Sequence, residues 1–215
     1  MVNEILYKEI AGFSKSKNTT LVAVSKIKPA SDIQQMYDLG QRDFGENYVQ
    51  ELVEKQAVLP ADIIWHFLGH LQSNKVKYIA PFVHLIHSVD SEKLLKEIDK
   101  QAAKNHRKIN VLLQIHIAEE QTKFGFNEPE LMKLDVDLYP NVNITGLMGM
   151  ATFTDDKEKV EREFEQLKSF YTSFEHVKKV KLDTLSMGMS DDYELAVNCG
   201  SNMIRIGSLL FGKRV

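Results

Sequence analysis

A single cysteine, Cys199, leaves no partner for an internal disulfide, and a reducing cytoplasm is the expected compartment. With 5 prolines and 11 glycines, no stretch has the composition of a linker, so one domain over 1–215 is expected. Neither sign of charge dominates. The 27 basic and 30 acidic side chains leave a net charge of -3, which excludes a general electrostatic attraction to nucleic acid. Any anion bound here must be held locally. No apolar run is long enough to span a bilayer, so no membrane partner is expected. The opening MVNEILYKEIAGFSKSK alternates apolar and charged residues at helical spacing, and reads as a helix rather than a secretion signal or transit peptide. What remains, 43% hydrophobic and 27% charged residues, is ordinary for a soluble globular protein.

Short β-branched or apolar runs alternate with amphipathic runs to the C-terminus, the pattern of a parallel sheet. Strands are expected over 21–26, 43–47, 63–70, 84–90, 109–117, 142–150, 184–189 and 203–207. Helices are expected to begin near Ala30, Val49, Ser73, Ser91, Glu128, Lys157 and Asp191. The helix after Ser91 is the clearest: Leu94, Leu95, Ile98 and Ala102 share one face, and Ser91 can cap it. Asp191 is expected to cap the helix that carries Glu194 at its third position. Eight strands joined by helices fit an α/β fold, a single (β/α)8 TIM-type barrel, with a doubly wound open sheet as the alternative. Few residues follow the last strand, so the extra N-terminal helix is expected to cover the place of an eighth helix.

In such a barrel the functional face is the C-terminal end of the strands. The first run, Leu21-Val-Ala-Val-Ser-Lys26, reads as a strand buried on both faces that ends on a lysine. Taken alone, Lys26 is a side chain snorkelling into water. The other strand ends change that reading. Gly207-Ser208 and Ser186 with Gly188 place backbone N–H groups and hydroxyls on the last two strands, where phosphate cradles recur. A lysine desolvated beside a cationic neighbour loses part of its preference for the charged form and can attack an aldehyde. Arg205 keeps its proton at usable pH, and against a pyridine nitrogen it acts only as a donor. A Schiff-base lysine, a phosphate cradle and an arginine partner together describe pyridoxal 5'-phosphate (PLP).

The motifs Ala23-Val-Ser-Lys-Ile-Lys-Pro29, Phe44-Gly-Glu-Asn-Tyr-Val-Gln-Glu51, His66-Phe-Leu-Gly-His-Leu-Gln-Ser-Asn-Lys75, Gly146-Leu-Met-Gly-Met150, Leu185-Ser-Met-Gly-Met-Ser-Asp-Asp192 and Arg205-Ile-Gly-Ser-Leu-Leu-Phe-Gly212 resemble the pyridoxal phosphate homeostasis protein family. The likeness runs from about residue 20 to the end. It implies the fold of the alanine racemase N-terminal domain, with Lys26 as the cofactor-linked lysine and Arg205 as the pyridine-nitrogen partner. It also implies Ser186, Gly207 and Ser208 as phosphate binders and Asn47 as a residue lining the cofactor. Lys123 resembles a family lysine near the site. Two positions depart from the family pattern: His116 stands where asparagine is more usual, and Ser208, where threonine is common, keeps the hydroxyl.

Racemization needs a base on each face of the substrate α-carbon. The second base of alanine racemases resembles a tyrosine from a separate β-domain, and no such domain follows Phe211-Gly212 in this sequence. An unprotonated pyridine is also a poorer electron sink. The expectation is therefore a protein that holds PLP on Lys26 and takes part in vitamin B6 homeostasis and amino-acid balance, with no catalytic residues. A weak PLP-dependent amino-acid racemase is the alternative, and a cofactor-free Schiff-base aldolase ranks below both because Lys26 lacks neighbouring carboxylates. PLP-dependent apo-enzymes are the expected recipients, and a monomer is the expected state. His66 and His70, four apart on one strand without a third ligand, carry no metal assignment. Residues 157–165 read as a solvated helix face and Cys199 as structural.

Overall fold

The computed structural model describes residues 2–118 and 124–212. Helix α1 (Glu4–Ser16) leads into β1 (Thr20–Val24), α2 (Ala30–Asp38), β2 (Asp43–Glu46), α3 (Val49–Val58), β3 (Ile64–Phe67), α4 (Val76–Ile79), β4 (Leu85–Val89) and α5 (Glu92–Lys104). The chain continues through β5 (Ile109–Gln114), α6 (Glu128–Lys133), β6 (Val142–Met148), α7 (Lys157–Lys178), β7 (Thr184–Ser186), α8 (Tyr193–Asn198), β8 (Met203–Ile206) and α9 (Ser208–Phe211). The eight strands pair in parallel in chain order, and β8 returns to β1, so the sheet is a closed barrel. The open-sheet alternative is thereby excluded.

Alternation along each strand divides the apolar residues between two layers. Val22, Leu85, Leu112, Met148 and Met203 form a small cluster inside the barrel. The larger core lies between strands and helices and takes the opposite parity, such as Leu21, Ala23, Phe44, Trp65 and Phe67. Where β6 meets β7, a Cβ on Gly146 would stand 1.7 Å from the Thr184 carbonyl oxygen. Only glycine permits that approach.

Helix α5 matches its sequence pattern: Leu94, Leu95, Ile98 and Ala102 are buried, and Ser91 accepts from the Leu94 N–H at 3.4 Å. Helix α1 buries Tyr7 and Ile10 and packs on β1 and α9, with the Asn3 N–H donating to the Leu210 carbonyl at 2.8 Å. It thus covers the place expected of it.

Three local expectations are corrected. Strand β3 stops at Phe67, so His70 lies beyond it on the surface and does not share a strand face with His66. The α8 cap is Asp192, one residue later than expected, because its Oδ1 accepts from the Met189 N–H at 2.6 Å and closes the preceding loop. Residues 157–165 are not wholly solvated. Glu163 is buried, and its carboxylate accepts from the Thr152 N–H and Oγ1–H, each at 2.6 Å. No helix among the described residues is long and apolar enough to cross a membrane.

Candidate functional site

A cavity of about 330 Å³ opens at the C-terminal ends of the strands. Lys26, Asn47, Arg205, Gly207 and Ser208 line it together, although they come from strand ends far apart in sequence. Val24, Leu68, Met148 and Met150 give it apolar walls, and Phe153, 85% exposed, stands at the mouth.

Lys26 is half-buried and follows β1 in a turn closed by the Lys28 N–H donating to the Ser25 carbonyl at 3.0 Å. Ile27 has φ +58°, a left-handed conformation that a β-branched residue rarely adopts. The support lies outside the barrel wall. Glu46 points outward from β2 and Lys55 inward from α3, and both are buried. Glu46 Oε1 accepts from Ser25 Oγ–H at 2.6 Å and from Lys55 Nζ at 2.7 Å. Lys55 also donates to the Ser25 carbonyl at 2.8 Å and to Glu51 Oε1 at 2.5 Å. Glu51 Oε1 in turn accepts from the Ile27 N–H at 2.6 Å. The residues on both sides of Lys26 are therefore pinned. Burial, opposed by the Lys55 ammonium, pushes the Glu46 carboxyl up to about 7, and its Oε2 has no hydrogen-bond partner among the described residues.

Arg205 enters the barrel from β8, its side chain buried. Its Nη1–H donates to Ser186 Oγ at 2.6 Å and its Nη2–H to the Gly149 carbonyl at 3.0 Å. Burial pushes the guanidinium down to about 10, with Asp192 opposing the shift, so it keeps its charge at neutral pH.

Gly207 and Ser208 form the junction of β8 and α9. A Cβ on Gly207 would stand 3.3 Å from the Val24 carbonyl oxygen, so the small residue keeps this part of the wall open. The first N–H groups of α9 have no acceptor within the helix. Asn47 follows β2 and is crossed by Gly69, whose Cβ would lie 2.1 Å from the Asn47 carbonyl oxygen.

Ser186 is placed apart from the other expected residues. It is the last residue of β7, fully buried, and it stands behind Arg205 rather than lining the cavity. The hydroxyl that lines the cavity from this motif is Ser190, four residues on. The intervening loop turns at Gly188, with φ +94° and room for no Cβ, which would meet Ala196 Cβ at 2.6 Å. Both serines belong to Ser186-Met-Gly-Met-Ser190, so the motif was a signal, but which serine faces the cavity depends on where the strand ends. His116 is half-buried, its N–H donating to the Phe126 carbonyl at 3.1 Å, and it does not line the cavity. Lys123 lies outside the described residues.

A polar set missed by sequence reasoning fills the barrel beneath the cavity. His87 Nδ1 is 3.3 Å from Ser186 Oγ, its Nε2 is 2.9 Å from His66 Nδ1, and His66 Nε2 is 2.9 Å from Asp43 Oδ1. Both imidazoles are buried. Burial beside His66, Arg205 and His84 holds His87 well below the usual imidazole range, so it is neutral. No group of three or more His, Cys, Asp or Glu side chains among the described residues is placed to hold a metal ion.

Fold and cavity define a (β/α)8 barrel with a small-molecule site at its C-terminal face. The chain belongs to the alanine racemase N-terminal domain family, whose sequence profile matches residues 7–215, and within it to the pyridoxal phosphate homeostasis proteins. It is 41% identical over 202 residues to the protein of that name from Pasteurella multocida, covering 90% of this chain and 86% of that one. It is 40% identical over 203 residues to the Escherichia coli K12 protein, covering 91% and 86%. Among solved structures, PipY of Synechococcus elongatus PCC7942 is 36% identical over 96% of this chain and 100% of that one. Its structure without PLP superposes with a TM-score of 0.90, and the one with PLP bound with 0.87. Alanine racemase from Bartonella henselae shares the fold, with a TM-score of 0.72 at 16% identity over 94% of this chain and 56% of that one.

Proposed function

We propose that this protein binds PLP covalently through Lys26 and serves PLP homeostasis and amino-acid balance without robust catalysis. The observation that carries the reading is the meeting of Lys26, Arg205, Ser190, Gly207 and Ser208 on one cavity. Its volume suits a small cofactor. PLP supplies an aldehyde that condenses with a primary amine, releasing water, and a pyridine ring that can accept electrons. Lys26 is the amine, presented from a turn whose flanking residues are fixed by Glu46, Lys55 and Glu51. Arg205 faces the ring nitrogen as a charged donor and disfavours its protonation. Ser190, Ser208 and the first N–H groups of α9 take the phosphate, and Asn47 lines the ring. Ser186 serves by holding Arg205.

An arginine at the ring nitrogen limits electron withdrawal, and the cavity lining offers Lys28 and Asp191 as further titratable groups but no tyrosine or histidine among the described residues. Both points favour holding the cofactor over racemizing amino acids. The proposed working form is a cytoplasmic monomer that passes PLP to apo-enzymes. The test is the visible spectrum of the purified protein, then borohydride reduction and peptide mapping, with Lys26→Ala as control. A phosphopyridoxyl group on Lys26, absent from the variant, is expected. No adduct after adding PLP would overturn the reading, and turnover of alanine at one-tenth or more of a dedicated racemase's rate would overturn its non-catalytic part.

A further inference from the structure

We propose that His87 and His66 are positioning residues for Arg205. With Ser186 they form a one-way hydrogen-bond chain through the barrel that ties the guanidinium at the cavity floor to Asp43 at the opposite end. The inference rests on the reading of Arg205 as the cofactor's ring partner.

With one proton on each ring, the chemistry of the two ends sets the direction. A guanidinium has only donors, so Ser186 Oγ accepts from Arg205 Nη1–H at 2.6 Å. The Ser186 hydroxyl proton is then available to His87 Nδ1, 3.3 Å away, which accepts it when His87 carries its own proton on Nε2. A neutral His87 that accepts at Nδ1 carries its proton on Nε2, and it donates to His66 Nδ1 at 2.9 Å. His66 accepts there, carries its own proton on Nε2, and donates to Asp43 Oδ1 at 2.9 Å. A carboxylate only accepts, so the chain ends consistently. In this arrangement every donor has one acceptor, and each ring carries its one proton on Nε2. A proton added to His66 would reverse the sequence: both its nitrogens would donate, His87 would accept at Nε2, and its Nδ1–H would donate to the second lone pair of Ser186 Oγ.

The surroundings are compatible with this state. His66 faces Asp43 from β2, His87 from β4 and the half-buried His84 just before β4, with ring centroids 5.8 Å apart for His66 and His84. His84 feels Asp43, His66 and Arg107, and burial lowers it below the usual imidazole range. His87 faces His66, His84 and Arg205, and Arg205 has Asp192 as its nearby carboxylate. Asp43 is 25% exposed and is the point where the chain meets solvent, at the start of β2 and away from the cavity. Loss of its acceptor therefore reaches Arg205 only through the two histidines.

The experiment is a long-range 15N–1H spectrum of histidine-labelled protein without PLP, on the parent, Asp43→Asn and Asp43→Ala. The parent is expected to show His66 and His87 neutral with the proton on Nε2. Asparagine keeps an acceptor oxygen and should preserve that pattern, whereas alanine should release both rings into mixed forms. Asp43→Ala should also weaken PLP binding by about fivefold, the low end of ordinary coupling between sites, with Asp43→Asn near the parent. A protonated His66, a proton on Nδ1 of either ring, or an alanine variant that keeps both the pattern and the affinity would overturn the proposal. If PLP fails to label Lys26, the cofactor reading fails separately, and the histidine spectra of the PLP-free protein still decide the chain.

Discussion

Replacing Glu46 by glutamine should change the pH dependence of folding in a direction that separates two pictures of the buried cluster behind Lys26. If the Lys55 ion pair governed Glu46, its carboxyl would titrate below the ordinary range. Instead burial outweighs Lys55 and the Ser25 hydroxyl and raises it from 4.5 to about 7. A carboxyl raised in the folded state binds its proton more tightly there than in the unfolded chain. Its contribution is complete below about pH 4.5 and is lost as pH rises through about 7. That interval, at about 1.36 kcal/mol per pH unit, amounts to about 3 kcal/mol. Glutamine has no proton to release. It also keeps an acceptor oxygen for Ser25 and Lys55, so its cost is the unmatched amide N–H in place of Oε2. The stability of the parent minus that of Glu46→Gln should therefore fall by about 3 kcal/mol between about pH 4.5 and about pH 8. Urea unfolding of both proteins at the two pH values measures it, with equal slopes confirming that only stability changed. A gap that stays constant would refute the reasoning. One that grows with pH would show that Lys55 governs Glu46 after all.

Lys55→Met leaves Glu46 buried without its cation and should cost about 3–5 kcal/mol at about pH 8, less where Glu46 is protonated, as urea midpoints will show. Gly146→Ala drives a Cβ into the Thr184 carbonyl and should cost more than about 4 kcal/mol, or prevent soluble expression, whereas Gly12→Ala, with open space around it, should be neutral or stabilising. Ser208→Ala should weaken PLP binding about 10-fold or more in equilibrium dialysis, the loss of one hydrogen bond to a charged group, while pyridoxal, which lacks the phosphate, should bind parent and variant alike. Alkaline titration followed by absorbance should find the Tyr171 phenol, pushed up to about 12 by burial and donating to the Leu182 carbonyl at 2.6 Å, still protonated after exposed tyrosines have ionised.

The barrel was legible because its layers impose different patterns on the sequence. Strands sandwiched between barrel interior and helices read as continuous apolar runs, and helices such as α5 show their buried face every three to four residues. Lys26, Asn47, Arg205, Gly207 and Ser208 were legible as the residues that close those runs. That Ser190 rather than Ser186 lines the cavity was not legible, because strand parity and the end of β7 cannot be read from Ser-Met-Gly-Met-Ser alone. The histidine chain left no local trace: His66 and His87 lie 21 residues apart, and only barrel closure brings Ser186 to them from 99 residues beyond His87. The Glu46–Lys55 pair was hidden for a related reason, since a glutamate at a strand end and a lysine on a helix are ordinarily read as solvated.

Ile27 keeps a left-handed backbone while the residue is 52% exposed, so little apolar burial compensates for the strain. What opposes relaxation is the bond that closes the turn from the Lys28 N–H to the Ser25 carbonyl, together with the bond from the Ile27 N–H to Glu51, a residue that is itself only part-buried. The turn presenting Lys26 thus behaves as a cocked spring with its catch on the outside of the barrel. A substitution at Glu51 therefore need not touch the cavity to change the reach of the lysine within it.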